Sequence, residues 1–153
     1  MTTIDLELLY RERLADFCRA AAAIAGDPEL GRDAVQDAFA RAVRTRRRYR
    51  GDGPLEAWVW RIVVNAARDA RRRRRPPVAA PIDAAATERT SEVRLPLELL
   101  TERQREVLFL HYYADLDYAT IAAALGISPG TVGATLSTAR RTLRQALTRE
   151  VTR

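Results

Sequence analysis

The stretch DYATIAAALGISPGTVGATLSTARRTLRQAL, residues 117–147, has the pattern of two helices joined by a tight turn. Apolar residues recur at helical spacing up to Leu125, and Gly126 supplies the backbone freedom that ends the first helix. Ser128 is a favourable N-cap and Pro129 fits the first helical position, so we expect a second helix to begin there. The stretch predicts a helix-turn-helix, which lays its second helix in the DNA major groove. An ordinary helical hairpin in a globular core is the alternative.

The charge of the chain favours a nucleic-acid partner. All 26 basic residues are arginine, and they outweigh 20 acidic residues to give a formal charge of +6. The planar arginine fork suits phosphate and guanine recognition. Codon bias in a GC-rich genome explains why arginine replaces lysine, but it does not explain why the arginines cluster. The single cysteine, Cys18, excludes an internal disulfide framework and a cysteine-based zinc site, which fits a reducing cytosol.

The rest of the chain predicts an all-α protein. Apolar periodicity indicates three long helices before residue 75, and almost nothing alternates with the period of a strand. Residues 76–94 are rich in Pro, Ala and polar side chains and too poor in large apolar ones to fold alone. We therefore expect two small helical domains, residues 1–75 and 95–153, joined by a flexible linker at 76–94. No targeting signal or membrane-length segment is apparent, so we expect a cytoplasmic protein without membrane insertion.

One face of the third predicted helix combines basic and amide side chains. Positions 61, 65, 68 and 72 share this face, so Arg61, Arg68 and Arg72 can contact phosphates while Asn65 pairs with a base edge. The adjoining run Arg71–Arg75 is equally explained as a solvated helix end. On the second predicted helix the polar stripe opposite the apolar face looks like an ordinary wet surface.

Catalysis is not expected. The lone His111 has no partner at metal-ligand or triad spacing, and Cys18 lies among apolar positions, so both are interpreted as packing residues. A Gly-rich phosphate loop, paired catalytic carboxylates and a nucleophile motif are all missing from the sequence. We predict neither an enzyme nor a bound cofactor or metal.

Several motifs in order resemble a known family. They are DAVQDAF at 33–39, YRGD at 49–52, a Trp-containing helix at 55–73, RQREV at 103–107 and LGISPGTV at 125–132. Together they resemble the extracytoplasmic-function (ECF) class of bacterial RNA polymerase sigma factors, over nearly the whole chain. The resemblance implies that the N-terminal domain is region 2 and the C-terminal domain is region 4. It also implies that core RNA polymerase, promoter DNA and an anti-sigma factor are partners.

The resemblance also assigns roles to residues. Docking on core polymerase would fall to Asp33, Gln36, Asp37, Phe39 and Arg41. Capture of the melting minus-ten element, and contact with DNA beside it, would fall to Arg50, Gly51, Asp52, Arg61, Asn65, Arg68 and Arg72. Recognition of the minus-35 element would fall to the second helix of the helix-turn-helix, with Ser128, Thr131, Thr135, Arg140 and Arg141.

The sequence departs from the family pattern at three positions. Gly133 stands where a basic residue usually follows the Val of the recognition helix, so minus-35 contact is expected to be weak or unusual. Val43 replaces a common Trp, and Thr120 replaces a common Glu. Two other classes of protein stay open: a free-standing helix-turn-helix regulator, which leaves residues 33–39 unexplained, and an adaptor that binds polymerase or an inhibitor without productive promoter binding.

Overall fold

A computed structural model of the protein describes residues 2–74 and 96–152, and within these ranges the regular structure is helical. The N-terminal lobe, residues 2–74, contains α1, α2 and α3; the C-terminal lobe, residues 96–152, contains α4, α5 and α6. Short 3₁₀ turns lie at Arg46–Arg48 and Leu97–Leu99. The helices are α1 Thr3–Ala25, α2 Pro28–Arg44, α3 Leu55–Arg74, α4 Glu102–Tyr112, α5 Tyr118–Leu125 and α6 Pro129–Val151.

The first two helices begin and end where local chemistry requires. Thr2 and Asp5 form a capping box at the start of α1, which satisfies backbone N–H groups that have no partner inside the helix. Gly26 ends α1 at φ 83°, in the left-handed region that glycine adopts without steric cost. The Asp27 carboxylate accepts a hydrogen bond from the Leu30 N–H at 2.9 Å, and Pro28 begins α2. Gly26, Asp27 and Pro28 fix the boundary between the two helices.

The core of the N-terminal lobe forms where α1, α2 and α3 meet. At Gly31 a Cβ atom would lie 2.5 Å from the Ala22 backbone nitrogen, so α1 and α2 approach too closely for any other residue. Trp60 on α3 is fully buried, with its ring centroid 4.3 Å from that of Phe17 on α1. Three helices bury a single apolar centre and leave their polar sides outward.

The C-terminal lobe contains the predicted helix-turn-helix. Asp117 caps α5, Gly126 ends it at φ 71°, and the Ser128 hydroxyl accepts a hydrogen bond from the Thr131 N–H at 3.1 Å to cap α6. The axes of α5 and α6 bend by 101° at the break between them, within the range typical of this motif. Ile127 is half-buried in the turn.

The two lobes pack directly against each other. Helix α3 contacts α5, α1 contacts α4, and one continuous cluster of buried side chains runs through both lobes. The predicted linker at residues 76–94 lies outside the described residues, as do Arg75 and Leu95, which bound the two predicted domains. The sequence had indicated two domains on a tether, and the contact between them is a new finding.

Candidate functional site

Helix α2 presents a polar face to solvent. Asp33, Gln36, Asp37 and Arg41 are all exposed, because the apolar residues between them turn inward against α1 and α3. Within the described ranges none of these four side chains forms an ion pair or a side-chain hydrogen bond. The structure thus brings four of the five predicted docking residues onto one free surface.

Phe39, the fifth predicted docking residue, lies on the buried side of α2. It is 8% exposed, and its ring meets those of Tyr10 and Phe17 edge-on at centroid distances of 4.9 and 5.2 Å. Aromatic rings in this arrangement attract each other beyond their buried area. In this structure Phe39 positions α2 from inside and is not part of its polar face.

A short loop between α2 and α3 displays the predicted turn. Arg50, Gly51 and Asp52 are exposed, and Gly51 adopts φ 78° with open space where a side chain would be. The loop is held from behind, because the Tyr49 hydroxyl donates to the Gly53 carbonyl and the Tyr49 ring lies 5.6 Å from that of Trp58. The half-buried Trp58 therefore supports the loop, whereas Trp60 belongs to the core.

The basic face of α3 is only partly free. Arg61, Asn65 and Arg72 are exposed, but Arg68 is paired. Its Nε and Nη2 atoms donate to the two carboxylate oxygens of Glu106, on α4, at 2.9 and 2.7 Å. This hydrogen-bonded carboxylate raises the pKa of the Arg68 guanidinium above its ordinary value.

Arg61 also reaches the C-terminal lobe. A Cβ atom at Gly126 would lie 2.6 Å from the Arg61 Nη2 atom, so the guanidinium rests against the backbone that ends α5. The C-terminus of a helix carries partial negative charge, which favours a cation at this place. Gly126 is required by its left-handed backbone, whereas the flexible Arg61 side chain could move aside for a larger residue.

The beginning of α6 is an exposed polar corner. Ser128 and Thr131 are exposed, with their hydroxyl oxygens 2.8 Å apart, and Thr135 is half-buried one turn further on. A helix N-terminus offers free backbone N–H groups and partial positive charge, which suit a phosphate. These three predicted residues lie along the first two turns of one helix.

Two arginines extend this corner along α6. Arg141 is exposed, and Arg140 donates from Nε to the Tyr112 hydroxyl at 2.7 Å while its guanidinium carbon lies 5.4 Å from the Tyr112 ring centroid. The tyrosine therefore orders Arg140 before any ligand binds. At Gly133 a Cβ atom would lie 3.4 Å from the Tyr118 ring, so this position faces the preceding helix α5 at close range.

Sequence reasoning missed two side chains that join the lobes, Glu106 and Arg13, and the Glu56 carboxylate that pairs with Arg13 inside the N-terminal lobe. Glu106 is 2% exposed, Arg13 donates from Nη2 to the Ala114 carbonyl at 2.7 Å, and the Arg13 Nη1 atom lies 3.1 Å from a Glu56 oxygen. One signal was available for Glu106: it lies four residues before Leu110, on the apolar face of α4. A carboxylate on a buried face needs a partner of opposite charge.

Arg105 lies at the same junction, where its surroundings disfavour the charge of its guanidinium. Burial, and next the positive charge of Arg71, lower the pKa of its guanidinium. Its Nε atom is buried without a hydrogen-bond acceptor in the described part of the chain. The junction between the lobes thus contains both the Arg68–Glu106 ion pair and a second, partly buried guanidinium whose Nε atom has no acceptor in the described ranges.

Residues 2–74 and 96–152 have few features of a metal site or a membrane span. Neither range contains a cluster of three His, Cys, Asp or Glu side chains able to hold a metal ion. In these ranges no single helix is long and apolar enough to cross a membrane, although α5 and α6 pass that test together as a sharply bent pair.

Two family models match the chain in the order of its lobes. Sigma-70 region 2 matches residues 9–76, and Sigma-70, region 4 matches residues 91–143. The first match covers the polar face of α2, the Arg50–Asp52 turn and the basic face of α3. The second covers α4, α5 and the first part of α6.

Relatives in three genera of bacteria are similar over most of their length. The ECF RNA polymerase sigma factor SigM of Mycobacterium tuberculosis is 30% identical over 152 residues, covering 91% of this chain and 75% of SigM. The RNA polymerase sigma-E factor of Streptomyces coelicolor is 28% identical over 153 residues, covering 94% and 86%. The RNA polymerase sigma-H factor of Pseudomonas aeruginosa is 28% identical over 144 residues, covering 79% and 75%.

Solved structures share the fold. CnrH in complex with the cytosolic domain of CnrY matches with a TM-score of 0.76 at 27% identity, over 95% of this chain and 89% of that one. The sigma factor RpoE of Bartonella quintana, in complex with the anti-sigma factor NepR, matches with a TM-score of 0.69 at 21% identity, over 94% and 97%. With regions 2 and 4 in order and SigM 30% identical over three quarters of its own length, this chain belongs to the ECF family of RNA polymerase sigma factors, the initiation factors that direct the polymerase to promoters.

Proposed function

We propose that this protein binds core RNA polymerase through α2, captures the melted minus-ten element with the N-terminal lobe and reads the minus-35 element with α6. One observation favours this over a free-standing helix-turn-helix regulator. Such a regulator needs only the C-terminal lobe, whereas the region 2 match spans residues 9–76 and includes the exposed polar face of α2. In this proposal the chain binds and positions in the bacterial cytoplasm but performs no catalysis.

The polar face of α2 suits docking on a protein. Asp33, Gln36, Asp37 and Arg41 project from a rigid helix, and none of them has an internal partner in the described ranges. Charged groups that are free in the unbound protein can pair with complementary groups on a partner without first breaking contacts. The face carries both negative and positive side chains at fixed positions along the helix. A partner with the opposite charges at matching positions can therefore pair with it.

The Arg50–Asp52 turn and the α3 face suit DNA that has begun to open. A base taken out of the stack costs a few kcal/mol and must be held by hydrogen bonds or an aromatic surface. Asn65 is exposed and has an amide that can both donate to and accept from a base edge. Arg61, Arg68 and Arg72 share its helix face and supply charge for the backbone on either side.

The N-terminal half of α6 suits the major groove. Ser128 and Thr131 offer hydroxyls beside free N–H groups, and Thr135, Arg140 and Arg141 continue along the same helix. Recognition helices of this class contact base edges with their first turns. Gly133 adds no charge here, so we expect weak minus-35 binding in which backbone contacts dominate.

An inhibitory partner is also proposed. One matching structure holds CnrH with the cytosolic domain of CnrY, and another holds the sigma factor RpoE with the anti-sigma factor NepR. The exposed face of α2 provides a surface that such a partner can cover in this chain. Covering it would block polymerase docking.

Transcription from a promoter library tests the proposal. Purified core polymerase is supplied with this protein, and transcripts and their start sites are sequenced. We expect discrete starts that share minus-ten and minus-35 elements and are missing with core polymerase alone. Specific DNA binding by the protein alone, with no protein-dependent transcripts, would favour the helix-turn-helix regulator instead.

A further inference from the structure

Helix α6 buries one face and leaves the opposite face exposed. On the side where α6 contacts α4 and α5, its buried residues are Val132, Leu136, Ala139 and Leu143. Ala134 and Thr138 lie on the other side, one turn apart, and both are exposed. The proposed function places this exposed side against the minus-35 element. Ala134 and Thr138 are therefore the side chains that a base pair meets at the second and third turns of α6.

The first three turns of α6 contain no side chain that identifies a base by paired hydrogen bonds. Residues 129–139, PGTVGATLSTA, include no charged residue and no Asn or Gln. Those are the residue types that pair with guanine, adenine or cytosine in the major groove. The first arginine of the helix is Arg140, and it donates to the Tyr112 hydroxyl. Base recognition in these turns is therefore left to hydroxyl groups, methyl groups and the backbone.

The threonine hydroxyl groups near this face are engaged within the protein. The Thr138 hydroxyl donates to the Ala134 carbonyl at 3.0 Å, so its hydrogen is not free for a base. The Thr131 and Ser128 hydroxyl oxygens lie 2.8 Å apart. Ser137 is exposed as well, but a serine hydroxyl pairs with donor and acceptor edges alike and distinguishes bases poorly. What Ala134 and Thr138 each offer to DNA is a methyl group.

A glycine on the same face lets the helix approach DNA closely. Gly130 lies one turn before Ala134 and is exposed. A Cβ atom at Gly130 would meet only the Ser128 hydroxyl, at 3.9 Å, in the part of the chain that the structure describes. Packing within this part of the protein therefore does not require glycine at position 130, whereas close approach of a ligand to the backbone does. A helix that enters the groove this closely brings the neighbouring methyl groups to the base edges.

Thymine is the base that presents an apolar group in the major groove, its C5-methyl group, and alanine and threonine methyl groups contact it there. We propose that α6 recognises the minus-35 element through thymine methyl groups, which pack against the methyl groups of Ala134 and Thr138. The inference relies on the proposed function for the position of α6 in the groove, and it names the base chemistry that α6 reads. One turn of α6 rises about 5.4 Å, so the two thymine-bearing base pairs lie about one or two steps of roughly 3.4 Å apart.

Deoxyuridine is the probe, because it lacks only the C5-methyl group of thymine and keeps the pairing with adenine. The promoter is one that the transcription library identifies, and each thymine of its minus-35 element, on either strand, is replaced singly. Holoenzyme binding to each duplex gives a thymine-to-uracil affinity ratio for the parent, Ala134→Gly and Thr138→Ser.

The central variant and its control differ only in their place along α6. Thr138→Ser removes the methyl group and keeps the hydroxyl that bonds to the Ala134 carbonyl. Thr148→Ser is the matched control, because Thr148 is also exposed on α6 and its hydroxyl donates to the Arg144 carbonyl at 2.8 Å. Thr148 lies beyond the turns that the proposed function places in the groove.

We expect deoxyuridine at two closely spaced base pairs to weaken parent binding by about fourfold each, the size expected for one buried methyl group. Thr138→Ser should abolish the effect at one of these base pairs and Ala134→Gly at the other, while Thr148→Ser keeps both effects. Each ratio compares two DNA molecules bound by the same protein, so a loss of helix stability in a variant cancels. The other thymines should tolerate the replacement.

Three results would overturn the inference: a minus-35 element without thymine, parent binding that deoxyuridine leaves unchanged, or the same ratios in the parent and in both methyl-deletion variants. A promoter with a scrambled minus-35 element separates this inference from the proposed function. If scrambling weakens holoenzyme binding and deoxyuridine does not, only the recognition of methyl groups is rejected. If scrambling has no effect, the role of α6 in the proposed function is rejected as well.

Discussion

At the scale of single residues, the α2 helix separates two tasks. Phe39 and its neighbours hold the helix in the core, while Gln36 and Asp37 are exposed and have no structural partner in the described ranges. Substitutions on the exposed side should therefore change binding without changing the fold. This separation makes the polymerase assignment testable.

Gln36→Ala combined with Asp37→Arg should weaken the affinity for core polymerase by about tenfold or more, which corresponds to about 1.4 kcal/mol. The expected cause is the loss of one polar contact and the reversal of a charge at the interface. Fluorescence anisotropy of labelled protein titrated with core polymerase measures it, with circular dichroism as the fold check. Glu12→Arg is the control, because it makes the same charge reversal on α1, outside the proposed docking face. Parent-like affinity in a folded double variant would reject the docking role of α2.

Asn65→Ala should impair transcription on duplex promoters on the order of tenfold, and less on templates already opened across the minus-ten element. The expected cause is that the amide stabilises a base whose unstacking costs a few kcal/mol, a cost already met in an opened template. Abortive transcript yields on the two templates measure the ratio. Asp69→Ala, exposed on the same helix, is the control. An equal loss on both templates would indicate a general defect instead of base capture.

Gly133→Arg should raise the affinity of holoenzyme for promoter DNA and steepen the salt dependence by about 0.9 in log-log slope for each phosphate gained. A Cβ atom at this position meets the Tyr118 ring at 3.4 Å, so α6 can accept a side chain with little adjustment. Titration at several salt concentrations measures both quantities. Gly133→Ala separates the gain in helix stability, about 0.5 to 1 kcal/mol, from the effect of charge. A fall in affinity with Arg would mean that glycine permits close backbone approach to DNA.

At the scale of elements, close helix packing depends on one glycine. At Gly31→Ala the added methyl group meets the α1 backbone at 2.5 Å, and backbone cannot rotate away as a flexible side chain can. We expect a loss of about 1 to 3 kcal/mol in the free energy of unfolding, as for other overpacked cores. Urea denaturation measures it. Gly53→Ala, which meets nothing within 4 Å, should change stability by less than about 0.5 kcal/mol. Similar losses at both positions would contradict the packing argument.

Helix limits follow from short-range chemistry, which is why the sequence predicts them well. Gly26 and Asp27 between α1 and α2, the capping box of Thr101 and Gln104 and the Ser128 cap of α6 all act over three or four residues. The predicted start of α6 after Ser128 is confirmed. The sequence also places Asp33 and Gln36 on the outer face of α2, because helical periodicity separates buried from exposed positions.

Contacts between elements are harder to predict, because periodicity shows which face is buried but not what covers it. Arg68 and Glu106 are 38 positions apart, and nothing local in either helix indicates the other as a partner. Phe39 is a second case in which the contacts of a residue were not predicted. The family resemblance places it among docking residues, while its position on α2 puts it against Tyr10 and Phe17.

At the scale of the whole molecule, the two lobes carry separate recognition surfaces but rest against each other. The contact between the lobes pairs Arg68 with Glu106, so one charge of this arginine-rich protein is already balanced within the chain. In the proposed function, promoter binding uses both lobes at once, because the minus-ten element falls to the N-terminal lobe and the minus-35 element to the C-terminal lobe.

Site-specific photocrosslinking in one holoenzyme–promoter complex tests the central claim most directly. A photoreactive amino acid replaces Asn65 in one protein and Thr131 in another, and each crosslinked base is mapped on both DNA strands. Our account predicts crosslinks from position 65 to the minus-ten element, and from position 131 to the minus-35 element of the same promoter. Crosslinks from both positions to a single element, or none from position 65 in a transcribing complex, would contradict it.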